Sequence, residues 1–154
     1  RKSLSKSWRK TFPGAGASPW GAKRGRLAGR EKGNAMAEGR LTTHVLDTAR
    51  GKPAAGVKIV LYRVSDAGRA QIGETVTNAD GRSDAPMLQG AEFTTGSYEL
   101  VFHAGDYLRA TGQAAGDVLF LDQIPIRFGV PDAGQHYHVP LLISPFAYST
   151  YRGS

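Results

Sequence analysis

The sequence predicts an all-β domain that carries one short helix, and three observations support this. Apolar and polar residues alternate with a period of two in several segments, as they do in strands that bury one face. Residues that favour turns recur about every ten residues between these segments, which is typical of a sandwich or barrel. One segment, Gly105 to Gly112, breaks this rhythm and accounts for the helix. The 154 residues leave room for one such domain and a tail.

The strands follow one another in a regular order, and the first runs from Arg40 to Asp47. Alternation within that strand places His44 on the opposite sheet face from Val45. Later strands are predicted at 57–64, 71–77, 98–103, 124–130, 135–143 and 146–151. The intervening turns contain Gly, Pro, Asn or Asp and are predicted at 47–51, 66–68, 78–81 and 131–134.

The helix and the last strands carry more specific expectations. Asp106 is expected to cap the helix and Gly112 to end it. The strands at 124–130 and 135–143 are expected to pair as a hairpin, because the turn between them has a suitable length and composition. Pro145 interrupts the following ladder, so the final strand is expected at a sheet edge or an interface.

The formal net charge of +7 is unevenly distributed along the chain. Residues 1–35 contain ten Lys or Arg and one acid, whereas residues 36–154 contain ten Lys or Arg and twelve acids. The first segment lacks an apolar period and is predicted to be a disordered basic extension. A nucleic-acid or membrane-surface arm, a transit peptide and a solvated leader before Met36 are all compatible with its composition.

The folded part, by contrast, carries a formal charge of −2, from ten basic and twelve acidic residues. It is therefore not expected to bind nucleic acid. No apolar run approaches the roughly 20 residues that span a bilayer. We therefore predict a protein that does not interact with membranes and lies in the cytoplasm.

Histidine and arginine are the residues available for chemistry, because the chain has no cysteine. Its absence excludes disulfides, thiolate nucleophiles and zinc–thiolate sites. His136 and His138 are two residues apart in a predicted strand and therefore share a face. Together with His44 they could form a three-histidine zinc site. No carboxylate lies at a spacing that would support such ligands, so we predict no metal and no cofactor.

Other polar residues are less informative by themselves. Arg82 directly follows the 78–81 turn, where an ordinary surface arginine is the simpler interpretation. Tyr151, Arg152 and Ser154 belong to a polar ending of the kind that usually frays. No phosphate-binding loop, serine nucleophile elbow or paired-carboxylate signature is present in the sequence. These residues alone indicate a β domain and leave its reaction open.

Four motifs taken together resemble the 5-hydroxyisourate hydrolases, a transthyretin-like family. They are Leu-Thr-Thr-His-Val-Leu-Asp at 41–47, Gly-Lys-Pro-Ala at 51–54, Thr-Asn-Ala-Asp-Gly-Arg at 77–82, and the ending from 136 to 154. The first three are weak evidence by themselves, because a Gly-x-Pro-x-x-Gly-Val strand followed by an Asn-x-Asp-Gly turn also occurs in many prealbumin-like structural domains. The ending is therefore decisive. His-Tyr-His-Val-Pro followed by a terminal Tyr-Arg-Gly-Ser is the hallmark of the hydrolases, and transthyretin itself lacks this tetrapeptide and the catalytic histidines.

The resemblance implies a fold, an assembly and a reaction for residues 36–154. The fold is a prealbumin/transthyretin-like β-sandwich of two four-stranded sheets with one short helix. The assembly is a homotetramer built from two dimers, with active sites in the channel between them. The reaction is hydrolysis of 5-hydroxyisourate to 2-oxo-4-hydroxy-4-carboxy-5-ureidoimidazoline in urate degradation. The alternative is a non-catalytic ligand-binding or structural module of the same fold.

The resemblance also implies roles for individual residues. Catalytic roles fall on His44, Arg82, His138 and Ser154, and substrate binding on His44, Arg82, Tyr151 and Arg152. The two histidines are the candidates for general base and general acid, in an order left open, because histidine titrates near neutral pH. The fork of donors on Arg82 suits substrate oxygens. Arg152 has an interface ion pair as its alternative role.

Overall fold

Residues 38 to 153 are described by the computed structural model, and they fold as a β-sandwich. The predicted extension at 1–35 and the candidate residue Ser154 lie outside the described residues. Within the described range there are eleven strands, one α-helix and a 3-10 turn at Gly90–Glu92. The strands are β1 Arg40–Thr42, β2 Val45–Asp47, β3 Lys52–Pro53, β4 Lys58–Ser65, β5 Gly68–Val76, β6 Leu88–Gln89, β7 Gly96–His103, β8 Gln123–Val130, β9 His136–His138, β10 Leu141–Ser144 and β11 Ala147–Thr150, and the helix α1 is Ala104–Ala110.

The strands form two layers around one core. One layer is an antiparallel sheet in the order β5-β4-β7-β8. The other consists of the sheets β6-β1-β9 and β11-β10-β2-β3. Fully buried side chains such as Leu41 and Leu141 from one layer and Leu61 and Leu100 from the other belong to the same core. The predicted all-β sandwich is therefore confirmed, with three or four strands in each sheet.

The second layer is divided because the predicted first strand is interrupted. It separates into β1 and β2, and its parallel partner separates into β9 and β10, with Thr42 opposite His138. Pro140 lies at the break and has no N–H to donate, so the regular ladder stops there. The N–H of Leu141 still donates to the carbonyl of His44 at 2.8 Å, which keeps the two chain segments together across the break. His44 thus lies at an irregular position between two strands.

The predicted hairpin near the end of the chain is wrong. Within the described residues β8 pairs with β7, whereas β9 pairs with β1 in the other layer. The physical reason is burial, because β8 contributes Ile124 and Ile126 and the chain after it contributes Tyr137 and Val139 to the same core. These residues approach the core from opposite layers, so the turn at 131–134 carries the chain from one layer to the other.

The predicted cap of the helix is also wrong. The helix α1 begins after His103, and Asp106 lies inside its first turn. The N–H of Gly105 donates to the carbonyl of Asp122 at 2.9 Å, so a loop satisfies a donor at this end of the helix. Gly112, with a φ of 70°, ends the helix as predicted. Residues 38–153 contain no helix with the length and apolar character needed to cross a membrane.

A buried carboxylate joins the helix to the sandwich. Asp47 is fully buried in β2, and its Oδ2 accepts hydrogen bonds from the Tyr107 hydroxyl and the Gln113 amide, each at 2.7 Å. Its Oδ1 accepts from the N–H of Arg50 at 2.9 Å. Burial is the largest influence and opposes ionisation, but these hydrogen bonds together hold the pKa of the carboxyl below its usual value. The charge is therefore retained inside the fold.

Replacement of Asp47 by alanine is expected to lower the free energy of unfolding by about 2–4 kcal/mol, because buried donors lose their acceptor. Urea denaturation of the purified protein measures this change. Asp132→Ala is the matched control, since Asp132 accepts the same kinds of bond from Gly134 and Gln135 on the exposed surface. Equal stability of the two variants would contradict the role given to Asp47.

Candidate active site

Two of the predicted histidines are in direct contact. The Nδ1 atom of His44 lies 2.6 Å from Nε2 of His138, and the two rings are stacked with centroids 4.8 Å apart. One of the two nitrogens must carry the proton that forms this hydrogen bond. The parallel pairing of β1 with β9 brings His138 to this position, and the interruption after β1 places His44 beside it.

Arg82 is held next to the pair by the turn that precedes it. Asn78 organises that turn, because its Oδ1 accepts from the N–H groups of Asp80 and Arg82, at 3.0 and 3.1 Å. Gly81 has a φ of 71°, and a Cβ there would lie 2.4 Å from the carbonyl oxygen of Val45. The turn therefore docks closely on the first strand segment. It leaves Arg82 in an antiparallel bridge with His44.

Burial and positive charge keep the imidazoles neutral. Burial, followed by the neighbouring His44, Arg82 and His136, lowers the pKa of His138 to about 4. Burial and then Arg82 lower the pKa of His44, and burial and then Arg40 lower that of His136. The pair is thus available as a proton acceptor near neutral pH.

The lowered pKa of His138 predicts a loss of stability in acid. The unfolded chain takes up a proton on this residue near pH 6.5, whereas the folded chain does so only near pH 4. The contribution of His138 is therefore complete above pH 6.5, and it is lost as the pH falls towards 4. We expect on the order of 2–3 kcal/mol from this residue. Urea denaturation between pH 7 and pH 4.5 measures it, and His138→Gln should have a shallower pH dependence than the unaltered protein.

The ending of the chain reaches this site through its backbone. Gly153 forms an antiparallel bridge with His138, in which the N–H of Gly153 donates to the His138 carbonyl at 2.8 Å. A Cβ at position 153 would lie 2.9 Å from Cδ2 of the His138 ring. The segment that follows β11 is therefore fixed directly against one member of the histidine pair.

The neighbouring side chains of the ending point elsewhere within this chain. The guanidinium of Arg152 lies 4.5 Å from the centroid of the Tyr137 ring and donates to Gln135 at 2.7 Å. Tyr151 and Arg152 line a second cleft, mostly apolar and about 260 Å³ in volume, together with residues of β8. The structure thus brings together His44, Arg82 and His138, but it does not bring Tyr151 or Arg152 to them in the same chain.

A cleft of about 370 Å³ opens beside the histidines, a size suited to a small organic molecule. Its lining is Arg40, Thr42, Thr43, Arg82, Ser83, Asp84, Ala85, Pro86, His136 and His138. Arg40 and Thr42 were not identified from the sequence. Alternation along the first strand places both side chains on the same sheet face as His44, and this pattern could have identified them as site residues.

The three histidines are hydrogen-bonded to each other or to Thr42 and are not arranged as the ligands of the zinc site considered above. Two imidazole nitrogens on one tetrahedral zinc are separated by about 3.3 Å, whereas the nitrogens of His44 and His138 are in hydrogen-bond contact at 2.6 Å. His136 directs its Nε2 towards the hydroxyl of Thr42 instead of towards the pair. Among residues 38–153 no group of three His, Cys, Asp or Glu side chains is arranged to hold a metal ion.

Comparison with known proteins identifies relatives over most of the described chain. The model of the HIUase/Transthyretin family matches residues 41–153. A 5-hydroxyisourate hydrolase of Mesorhizobium japonicum is 64% identical over 116 residues, which are 75% of this chain and 93% of that protein. The structure of Klebsiella pneumoniae 5-hydroxyisourate hydrolase superposes with a TM-score of 0.62 at 34% identity, over 75% of this chain and 99% of that one. A crystal structure of (S)-allantoin synthase gives a TM-score of 0.72 at 50% identity, over 77% of this chain and 44% of that one.

Proposed function

The chain belongs to the HIUase/Transthyretin family, and from this premise we propose that it is a hydrolase of 5-hydroxyisourate. The observation that carries the proposal is the neutral His44–His138 pair beside Arg82, of which His138 and Arg82 line a cleft of suitable size. A non-catalytic binding module is not favoured, because the relatives of high identity are hydrolases. The product is the carboxylated ureidoimidazoline that results when the six-membered ring opens.

Ring opening requires three contributions from the protein. An imidazole of the pair accepts a proton from the attacking water as the oxygen–carbon bond forms. The guanidinium of Arg82 stabilises the negative charge that develops on the carbonyl oxygen. The pair then donates a proton to the ring nitrogen as the carbon–nitrogen bond breaks. Catalysis by these residues requires no metal and no cofactor, which remains a prediction of the sequence.

The experiment is an ultraviolet assay that follows freshly generated 5-hydroxyisourate with and without the purified protein. Spontaneous decay sets the baseline, and enzyme-dependent decay in proportion to protein concentration is the expected result. A second arm contains a strong chelator, and we expect no loss of rate there. Decay of 5-hydroxyisourate at the spontaneous rate in the presence of the protein would contradict the hydrolase function. A loss of enzymatic rate with the chelator, restored by added zinc, would contradict metal independence.

We further propose that the protein is a homotetramer, a dimer of dimers. Strands β8 and β11 lie at sheet edges within the described chain, and unpaired edges favour pairing with another chain. Large apolar side chains are exposed nearby, with Phe120 at 74% and Phe146 at 77%. Tyr148 on β11 and Tyr151 just after it are also exposed. In such an assembly Tyr151, Arg152 and Ser154 would serve a cleft that is shared between subunits.

Residues 1–35 are proposed to form an extension that the hydrolase domain does not need. Deletion of this segment is expected to leave turnover and oligomeric mass nearly unchanged, because its sequence has no packing pattern. Light scattering and the ultraviolet assay on the truncated and full chains test this. A dissociated or inactive truncated protein would show that the segment packs on the domain. Fractionation of cells that produce the full chain tests the proposed cytoplasmic location.

A further inference from the structure

Thr42 links the histidine pair to a third imidazole. Its Oγ1 lies 2.8 Å from Nδ1 of His138 and 2.7 Å from Nε2 of His136. A hydroxyl has one proton to donate, so Thr42 donates to one ring and accepts from the other. With the 2.6 Å contact between His44 and His138, the four side chains form one continuous line of hydrogen bonds.

Two proton arrangements satisfy every bond in this line. In the first, Nε2–H of His136 donates to Thr42, and Thr42 donates to Nδ1 of His138. The Nε2–H of His138 then donates to Nδ1 of His44. In the second arrangement each of these bonds is reversed. All three imidazoles are neutral in both arrangements, as a half-buried site close to Arg82 and Arg40 favours.

We propose that Thr42 is a positioning residue that couples His136 to the His44–His138 pair as a proton relay. This inference rests on the proposed hydrolase function. Conversion of the first arrangement into the second takes up one proton at Nδ1 of His136 and releases one from Nε2 of His44. Substrate bound against Arg82, the bridge partner of His44, would take the released proton on its leaving ring nitrogen, and the reverse conversion would remove a proton from the attacking water. No imidazolium has to form next to Arg82 in either direction.

The relay predicts a specific effect of removing the hydroxyl. Thr42→Val keeps the size and branching of the side chain, and we expect kcat to fall about tenfold with little change in KM. Without the relay, protons must come from a charged imidazole, which is more abundant in acid. The kcat of Thr42→Val should therefore rise as the pH falls from about 7.5 to 5.5, while that of the unaltered protein stays level. Thr42→Ser should restore both kcat and its pH profile.

Thr111→Val is the matched control. Thr111 is also half-buried, and its hydroxyl accepts from Gln113 and donates to the carbonyl of Tyr107, far along the chain from the histidines. This variant should keep kcat and its pH profile. If Thr42→Val does not fold, His136→Gln provides the same test, because it removes the other end of the relay and must produce the same pH dependence.

Nitrogen NMR of histidine-labelled protein tests the same bond without substrate. The chemical shifts of Nδ1 and Nε2 of His138 report which of the two nitrogens carries the proton. Thr42→Val should change the ratio of the two tautomers of His138, whereas Thr111→Val should not. If the unaltered protein lacks turnover, the hydrolase function fails while this measurement still tests Thr42. An unchanged tautomer ratio overturns the inference, as does a folded Thr42→Val with the kcat and pH profile of the unaltered protein. Thr42→Ser that is no more active than Thr42→Val also overturns it.

Discussion

Replacement of His138 by alanine is expected to lower kcat by about 10²- to 10⁴-fold while the protein stays folded and assembled. General acid and base groups typically contribute a factor of this size. His138 contacts His44 at 2.6 Å and is also hydrogen-bonded to Thr42 at 2.8 Å. Loss of its side chain therefore interrupts the hydrogen-bonded line between His44 and His136. His44→Ala should have an effect of similar size, because the pair acts as a unit.

Two other histidines serve as controls for this experiment. His136 belongs to the outer end of the line, so His136→Ala should lower kcat by a smaller factor, about tenfold. His103 lies at the start of α1, and its side chain forms no capping bond, so His103→Ala should keep full turnover. The measurement is steady-state decay of 5-hydroxyisourate, with circular dichroism and light scattering on the same samples. If His136→Ala proves as damaging as His138→Ala with folding intact, the pair assigned to catalysis is wrong.

Much of the fold follows from local patterns in the sequence. Alternation identified the longer strand segments but not the two-residue strands β3 and β6. The Asn78–Gly81 turn was recognised from residues that satisfy the turn by themselves. Alternation also put His44 on the face opposite Val45, and the structure agrees, since Val45 is fully buried and His44 is not. These features depend on residues close together along the chain.

The pairing of distant segments was not accessible in the same way. His44 and His138 are separated by 94 positions, and their contact depends on parallel pairing of β1 with β9. The sequence was also compatible with a hairpin between β8 and β9. The structure excludes it, because the apolar residues of these two strands enter the core from different layers. Arg82 likewise enters the site because its turn docks on the first strand. The resemblance to a known family supplied the juxtaposition that periodicity could not.

The position of Gly153 follows from the three-dimensional structure alone, and it predicts a large effect of a small substitution. A methyl group at this position would lie 2.9 Å from Cδ2 and 3.2 Å from Cβ of His138. Those distances are shorter than normal contacts between carbon atoms, so either the imidazole or the chain end must shift. Movement of the imidazole would break its hydrogen bond with His44, in which Nε2 of His138 lies 2.6 Å from Nδ1 of His44. Movement of the chain end would break the bridge between Gly153 and His138.

Gly153→Ala is therefore expected to lower kcat about 100-fold, the order of effect associated with misplacement of a catalytic group by about 1 Å. Stability should change little, because Gly153 lies after the last strand and outside the buried core. Gly73→Ala is the matched control, since a Cβ there has no neighbour closer than 4.0 Å. Removal of residues 151–154 should abolish turnover as well, because it takes away the segment that holds the backbone of His138. The substitution is more informative than the deletion, because it leaves Tyr151, Arg152 and Ser154 in place. Full turnover by a folded Gly153→Ala tetramer would show that the ending does not position His138 for catalysis.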